Sequence, residues 1–171
     1  MNHQAPRPTS NELRLHEHDF IVSKTDLSGR IIYGNRHFIK ISGYHESELI
    51  QAPHSLLRHP DMPRVVFKML WDTIKKREEI FAYVKNLAKD GSFYWVFANV
   101  TCTKDHSGNI VDYHSVRRKP SDRAMSVIPE LYRQLHAEEQ RGGISASEKL
   151  LNTILNEKGL TYHEFVLSLQ K

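Results

Sequence analysis

The sequence has very little cysteine and no long apolar run. Cys102 is the only cysteine among 171 residues, which excludes an intramolecular disulfide framework and a metal site built on paired cysteines. No apolar run approaches the roughly 20 residues that a membrane-spanning helix needs, and the first residues do not form a secretory signal peptide. We therefore expect a cytoplasmic protein without direct membrane insertion.

The distribution of charge and of potential catalytic groups excludes further classes. The net charge is +4 at pH 7, but lysine and arginine are scattered and cluster only briefly, as at 117–119. This pattern is typical of a solvated surface and not of a nucleic-acid-binding face. His16 and His18 have no partner at metal-ligand spacing, and no nucleophile, base and orienting residue stand out together. The sequence predicts no enzyme, no metal site and no nucleic-acid partner.

What is present divides into three segments. Residues 1–18 are polar and contain prolines, so we predict a loose or adaptable N-terminal flanking segment. Residues 19–119 alternate short strand-like runs with helical ones and form the predicted central domain. Residues 120–171 have helical patterns throughout and form a predicted C-terminal helical extension.

The central segment predicts an α+β fold. A hairpin with its turn at 26–29 comes first, then a short helix stopped by Gly43, and then a longer helix that starts around Met62. Three strands follow, joined by turns at 89–91 and 105–108. This order predicts a five-stranded antiparallel sheet with its helices gathered on one face, enclosing a space.

The most informative stretch is RHPDMP, at 58–63. Asp61 is placed to cap the helix that follows, and Pro63 fits its first turn, where a missing N–H costs nothing. Arg58 and His59 are not explained by the helix. Two cationic or titratable donors beside a helix N-terminus are suited to bind an anion, so a ligand role and a packing role both stay open.

The C-terminal segment predicts three helical parts. Its first part has an apolar stripe, and Pro129 either kinks that helix or marks its start. Gly142 and Gly143 then break the chain, and Ser145 with Glu148 predicts a capping box for the next helix. Gly159 closes that helix, and a third begins near 161–164. These helices cover the open face of the central domain or each other, or they form a dimerisation or receptor-docking surface, and both roles can hold together.

Several short motifs occur in an order that resembles the PAS domain of the Aer and Cet types of bacterial energy-taxis (aerotaxis) sensors. They lie within residues 20–120 and read TDL at 25–27, SGY at 42–44, RHPDMP at 58–63, VKN at 84–86, YW at 94–95 and AN at 98–99. SGY alone is typical of PAS domains in general, whereas RHPDMP together with VKN and YW is much more specific. The resemblance implies a PAS fold.

The resemblance also implies a function: redox sensing through non-covalently bound FAD in the cavity between sheet and helices, with the signal passed to a chemotaxis receptor. Cofactor contacts would come from Asn35, His54, Arg58, His59, Asp61, Trp71, Asn86 and Asn99. We predict that Asn86 and Asn99 lie on neighbouring strands at a similar phase. The sequence departs from the family at Ile80, where several members carry a tryptophan, so Phe81 or Trp71 would supply the aromatic packing.

Two alternatives to a flavin sensor stay open. His54 and His59 near the cavity would suit a haem-binding gas or redox sensor, and a cavity filled by its own side chains would leave a ligand-free interaction module. Covalent flavin photochemistry is not expected because Cys102 lies in a strand. If the chain is complete, it must signal in trans to a chemoreceptor or other protein. A homodimer through the N-terminal segment and the C-terminal helices is a further expectation.

Overall fold

A computed structural model describes residues 5–76 and 78–171 of the chain. It contains five strands, which are β1 Ile21–Thr25, β2 Ile31–Gly34, β3 Ile80–Leu87, β4 Phe93–Lys104 and β5 Ile110–Arg118. They form one antiparallel sheet in the spatial order β2-β1-β5-β4-β3. The predicted hairpin and the predicted set of three strands are both confirmed.

The helices of the central domain follow β2 and precede β3. They are α1 Arg36–Ser42, α2 Glu46–Leu49, a short 3-10 helix His54–Leu57 and α3 Arg64–Lys75. Asn35 starts α1, since its side chain accepts a hydrogen bond from the N–H of Phe38 at 3.0 Å. Gly43 ends α1 in a left-handed conformation with φ 73°, as the sequence predicts.

Alternation along the long strands separates the two faces of the sheet. On β3, Val84 and Asn86 point towards the helices and line a cavity. Phe81 and Tyr83 point the other way, and both rings pack against Phe97 of β4, at centroid distances of 5.5 and 5.1 Å. The sheet therefore has an inner face on the cavity and an aromatic outer face.

The C-terminal extension covers the outer face at β3 and β4. It consists of α4 Asp122–Lys158 and α5 Tyr162–Leu169. The Tyr132 hydroxyl on α4 donates to the carbonyl of Tyr83 at 2.7 Å, and the Tyr83 hydroxyl donates to the carbonyl of Val166 on α5 at 3.1 Å. The structure therefore shows these helices covering the outer face of the sheet, as one of the two interpretations predicts.

The predicted break in the extension is present, but the predicted capping box after it is not. Backbone angles are non-helical at Gly142 and Gly143, whereas Pro129 lies inside α4. The Ser145 hydroxyl lies 3.5 Å from the carbonyl of Gly142, and Glu148 pairs with Lys68 of α3 instead. Tertiary contacts between helices have replaced the local cap.

The described part of the N-terminal segment is attached to the domain by backbone hydrogen bonds. The N–H of Thr9 donates to the carbonyl of Gly91, and the N–H of Leu13 donates to that of Phe93, both at 2.8 Å. Leu15 is buried in the main core. Residues 1–4 of this predicted segment lie outside the described residues. None of the described helices is long and apolar enough to cross a membrane.

Candidate functional site

A cavity of about 320 Å³ lies between the inner face of the sheet and α3. Its apolar walls come from two sides. Successive turns of α3 contribute Phe67, Leu70, Trp71 and Ile74, because these residues recur at helical spacing. Val84 of β3 and Ala98 and Val100 of β4 contribute the opposite wall. An apolar cavity with a few polar groups is the usual form of a small-molecule site.

Arg117 brings a positive charge into this cavity. It is only 2% exposed, and its Nη2 donates to the hydroxyl of Ser23. Its Nε and Nη1 have no hydrogen-bond partner within the described part of the chain. Burial lowers the pKa of Arg117 to about 10, so the guanidinium stays charged at neutral pH.

Arg58 is a second guanidinium in the same cavity. Its central carbon, Cζ, lies 3.7 Å from the centre of the Phe67 ring. The buried Nε of Arg58 has no hydrogen-bond partner among the described residues. Burial lowers the pKa of Arg58. None of the described residues lining the cavity is an aspartate or glutamate. Two cations without a carboxylate make the cavity electrostatically suited to a ligand that is, or becomes, anionic.

His54 completes a polar chain with Ser23 and Arg117. Its Nε2 lies 3.1 Å from the Ser23 hydroxyl, and its ring stacks on Phe38 at a centroid distance of 6.1 Å. Burial, together with the positive charge of Arg117, lowers the pKa of His54 to about 3. The imidazole is therefore neutral at physiological pH and can donate or accept one hydrogen bond.

Asn86 presents an unused donor to the cavity. The residue is 4% exposed, and its Nδ2 has no hydrogen-bond partner in the described chain. Buried polar atoms are nearly always paired, so each exception needs a cause. With Arg58 and Arg117, Asn86 forms a set of buried donors on the cavity wall that a ligand with several acceptors would satisfy.

Four of the eight predicted contact residues line this cavity, and these are His54, Arg58, Trp71 and Asn86. Trp71 packs edge-on against Tyr113 of β5 at a centroid distance of 5.5 Å. Phe81 lies on the outer face beside His163. It is the other aromatic residue that could replace the tryptophan missing at Ile80. Trp71 is therefore the one of the two that the structure brings to the cavity.

Asn35 and Asn99 are not in the cavity. The side chain of Asn35 bonds three backbone groups, those of Phe20, Val22 and Phe38, and so fixes the start of α1. Asn99 donates to Glu79 at 3.1 Å on the exposed side, while its neighbours Ala98 and Val100 line the cavity. The prediction that Asn86 and Asn99 face the same side of the sheet is wrong. Asn86 lies opposite Tyr94, and Asn99 lies five residues beyond Tyr94 on β4. Because side chains alternate along a strand, the two amides lie on opposite faces.

His59 and Asp61 lie beside the cavity wall and not in it. His59 is buried, and its Nδ1 accepts from the N–H of Asp61 at 3.1 Å. Asp61 is exposed and pairs with Lys85 at 2.8 Å. The predicted helix cap is wrong, because Pro63 occupies the cap position of α3 and no side chain there bonds the helix. These two residues shape the loop that presents Arg58.

Sequence reasoning missed Arg117, Ser23 and Tyr113, which all line the cavity. Arg117 belongs to the basic group at 117–119, and that pattern predicts a solvated surface charge. The signal that identifies it is alternation on β5, where Tyr113, Ser115 and Arg117 share the inner face. That signal is informative only once the inner face of β5 is known.

Comparison with known proteins decides the family. Residues 31–117 match the family model described as the PAS fold. The chain belongs to the PAS family. It is 37% identical over 132 residues to the aerotaxis receptor of Escherichia coli (strain K12), which covers 77% of this chain and 26% of the receptor. It is 28% identical over 97 residues to the nitrogen fixation regulatory protein of Klebsiella pneumoniae, covering 57% of this chain and 20% of that protein.

Solved PAS-type structures show the same fold. A light-oxygen-voltage domain reported with a flavin analogue superposes with a TM-score of 0.57 at 23% identity, over 65% of this chain and 83% of that one. The light-state LOV domain of the blue-light photoreceptor Aureochrome1 superposes with a TM-score of 0.53 at 26% identity, over 73% and 92%. The predicted fold and the predicted resemblance to aerotaxis sensors are both confirmed. This PAS chain spans about a quarter of the aerotaxis receptor's length.

Proposed function

We propose that this PAS domain binds FAD non-covalently in the cavity and works as a redox sensor, not as an enzyme. The observation that carries the proposal is the donor set on an apolar wall. Arg58, Asn86 and Arg117 present buried donors that have no partner, and no carboxylate beside them, among the described residues. A flavin ring has apolar faces and an edge of nitrogen and oxygen acceptors, and it gains negative charge on reduction. Its chemistry in the bound state is the uptake and release of one or two electrons.

The residues of the cavity have separate roles in this proposal. Phe67, Leu70 and Trp71 would pack against the ring and exclude water. Asn86 would hydrogen bond to the acceptors and donors of its edge. Arg58 and Arg117 would stabilise the electron-rich form, because a buried positive charge favours the more negative state of a nearby group.

A signalling role is supported by the relatives. The aerotaxis receptor and the nitrogen fixation regulatory protein are named for sensing and regulation, and the motifs at 58–63 and 84–86 are those of the aerotaxis type. In this proposal residues 19–119 are the sensor, and residues 1–18 and 120–171 carry its state to a chemoreceptor or similar partner in the cytoplasm. Flavin is favoured over haem because His59 is not among the residues that line the cavity, and the Nε2 of His54, the nitrogen that would form an axial bond, is hydrogen bonded to Ser23.

Two asparagines provide a matched test of flavin binding. Asn86→Ala should weaken FAD binding about tenfold, because it removes a buried hydrogen-bonding amide from the cavity. Asn99→Ala removes the same side chain from a neighbouring strand but from the outer face, so it should bind FAD like the wild type. The measurement is equilibrium titration of the ligand-free proteins with FAD, with circular dichroism to confirm folding. Equal affinity in both variants would refute the assignment of Asn86, and no binding by the wild type would refute the flavin proposal.

A further inference from the structure

Glu139 occupies a position in the extension where an apolar residue is expected. It continues the buried face of α4 formed by Leu131 and Leu135, at the same spacing of four residues. Its side chain is only 1% exposed. A buried carboxylate is costly unless hydrogen bonds satisfy it, so its partners indicate why it is there.

The partners of Glu139 lie mainly at the start of α3, where the Nε of the Arg64 side chain is 3.6 Å from the Oε2 of Glu139. The N–H of Arg64 donates to Oε2 at 2.9 Å, and the N–H of Val65 donates to Oε1 at 2.8 Å. The hydroxyl of Ser147 donates to Oε1 at 3.0 Å. Since Pro63 offers no side-chain cap, Glu139 satisfies from another helix the N–H groups that α3 would leave unpaired. Its negative charge also complements the positive end of the α3 dipole.

The first turn of α3, which is hydrogen bonded to Glu139, is followed directly by residues of the cavity wall. Phe67 follows Val65 by two residues, lines the cavity and lies under the guanidinium of Arg58. Leu70 and Trp71 line the cavity one turn further on. A shift of the first turn of α3 therefore displaces both an apolar wall and the platform on which Arg58 rests.

We propose that Glu139 is a positioning residue of the ligand cavity and its coupling point to the C-terminal extension. The inference rests on the proposed function, since it names the C-terminal extension as the element that responds to the ligand in that cavity. Docking of α4 holds α3 in the arrangement that binds the ligand, and by thermodynamic reciprocity a ligand state that shifts α3 weakens the docking of α4. The break at Gly142 and Gly143 lies between Glu139 and Ser147, so the chain turns there and Ser147 meets the same carboxylate.

The chain contains a matched control for this proposal. Lys68 of α3 pairs with Glu148 of α4 at 3.2 Å, joining the same two helices through exposed side chains that are 41% and 39% accessible. Glu139→Gln keeps the volume but loses the charge and one acceptor. Lys68→Ala removes only exposed contacts, the one to Glu148 and the one to Asp72 at 2.9 Å on α3 itself. A variant acting merely on helix docking would affect α4 without affecting the cavity.

The test uses hydrogen exchange and FAD titration on the full chain. In ligand-free Glu139→Gln, the amides of Phe67, Leu70 and Trp71 should exchange about tenfold faster than in the wild type, because a charged hydrogen-bond partner of the helix start is lost. The Kd for FAD should rise about tenfold, with a shift in the midpoint potential of the bound flavin. Lys68→Ala should match the wild type in all three measurements. Ser147→Ala, a milder change, should alter them in the same direction by less.

The outcomes separate this inference from the proposed function. Unchanged exchange of the α3 amides in both Glu139→Gln and Ser147→Ala would overturn the inference whether or not the protein binds flavin. Faster exchange confined to α4, with the wild-type Kd and potential retained, would also overturn it and leave the flavin proposal intact. A wild type that fails to bind FAD would refute the proposed function and, with it, the ligand-coupling part of the inference, even if α3 were loosened.

Discussion

Arg117 carries a positive charge into the interior without a carboxylate to balance it. Its only hydrogen-bond acceptor in the described chain is the Ser23 hydroxyl, and its pKa falls to about 10 because of burial. Burying a charge costs free energy unless it is paired. The free-energy cost of burying Arg117 in the ligand-free protein is explained if this arginine contacts the bound ligand.

This explanation predicts opposite effects of one substitution on stability and on binding. Arg117→Met should leave the free energy of unfolding of the ligand-free protein unchanged or raise it by about 1 kcal/mol, while weakening FAD binding. Urea unfolding and FAD titration measure the two quantities. Arg118→Met is the control, because Arg118 is exposed and its guanidinium lies over Phe97 on the outer face. A loss of stability in Arg117→Met with unchanged FAD affinity would contradict the assigned role.

At the scale of elements, the N-terminal segment depends on the turn before β4. Gly91 has φ +89°, and a Cβ there would collide with the backbone carbonyl of Arg7. The hydrogen bonds of Thr9 and Leu13 to this turn and to Phe93 leave no room for a side chain. The segment is thus held by backbone contacts that only glycine permits at this position.

Substitution of this glycine should detach the segment. Gly91→Ala should lower the free energy of unfolding by about 2 kcal/mol, through left-handed backbone strain and the collision. It should also make residues 5–15 more accessible to limited proteolysis. Gly159→Ala shares the positive φ, at +64°, but meets no atom within 4 Å, so it should lose stability without releasing the segment. Equal protease sensitivity of the two variants would show that the segment is not held at Gly91.

The same elements show which features are predictable from sequence. Gly43, Gly159 and the turn residues between strands act locally, so the helix ends and the pairing of consecutive strands follow from the chain itself. Arg117 faces the cavity and Asn99 faces away from it. Predicting this requires the register of the sheet, which no local sequence pattern contains. The cap of α3 was assigned to Asp61 because it is near in sequence, whereas Glu139 reaches that helix from 75 residues away.

At the scale of the whole molecule, the cavity is linked to both flanking segments. The N-terminal segment is bonded to the start of β4, and the extension is bonded to the outer face of β3 and to the start of α3. In the proposed sensor, a change of ligand state thus has two connected routes to the surface. This arrangement supports a sensor that alters the packing of its flanks while the core fold stays in place.

The absorption spectrum of the purified full chain tests the central claim most directly. A flavin in the cavity gives two bands, in the near-ultraviolet and the blue, which dithionite bleaches and air restores. The account predicts these bands in the protein as purified or after reconstitution with FAD. It predicts weaker bands in Asn86→Ala. A Soret band would show haem instead, and a protein that shows neither feature even with excess FAD would contradict the account.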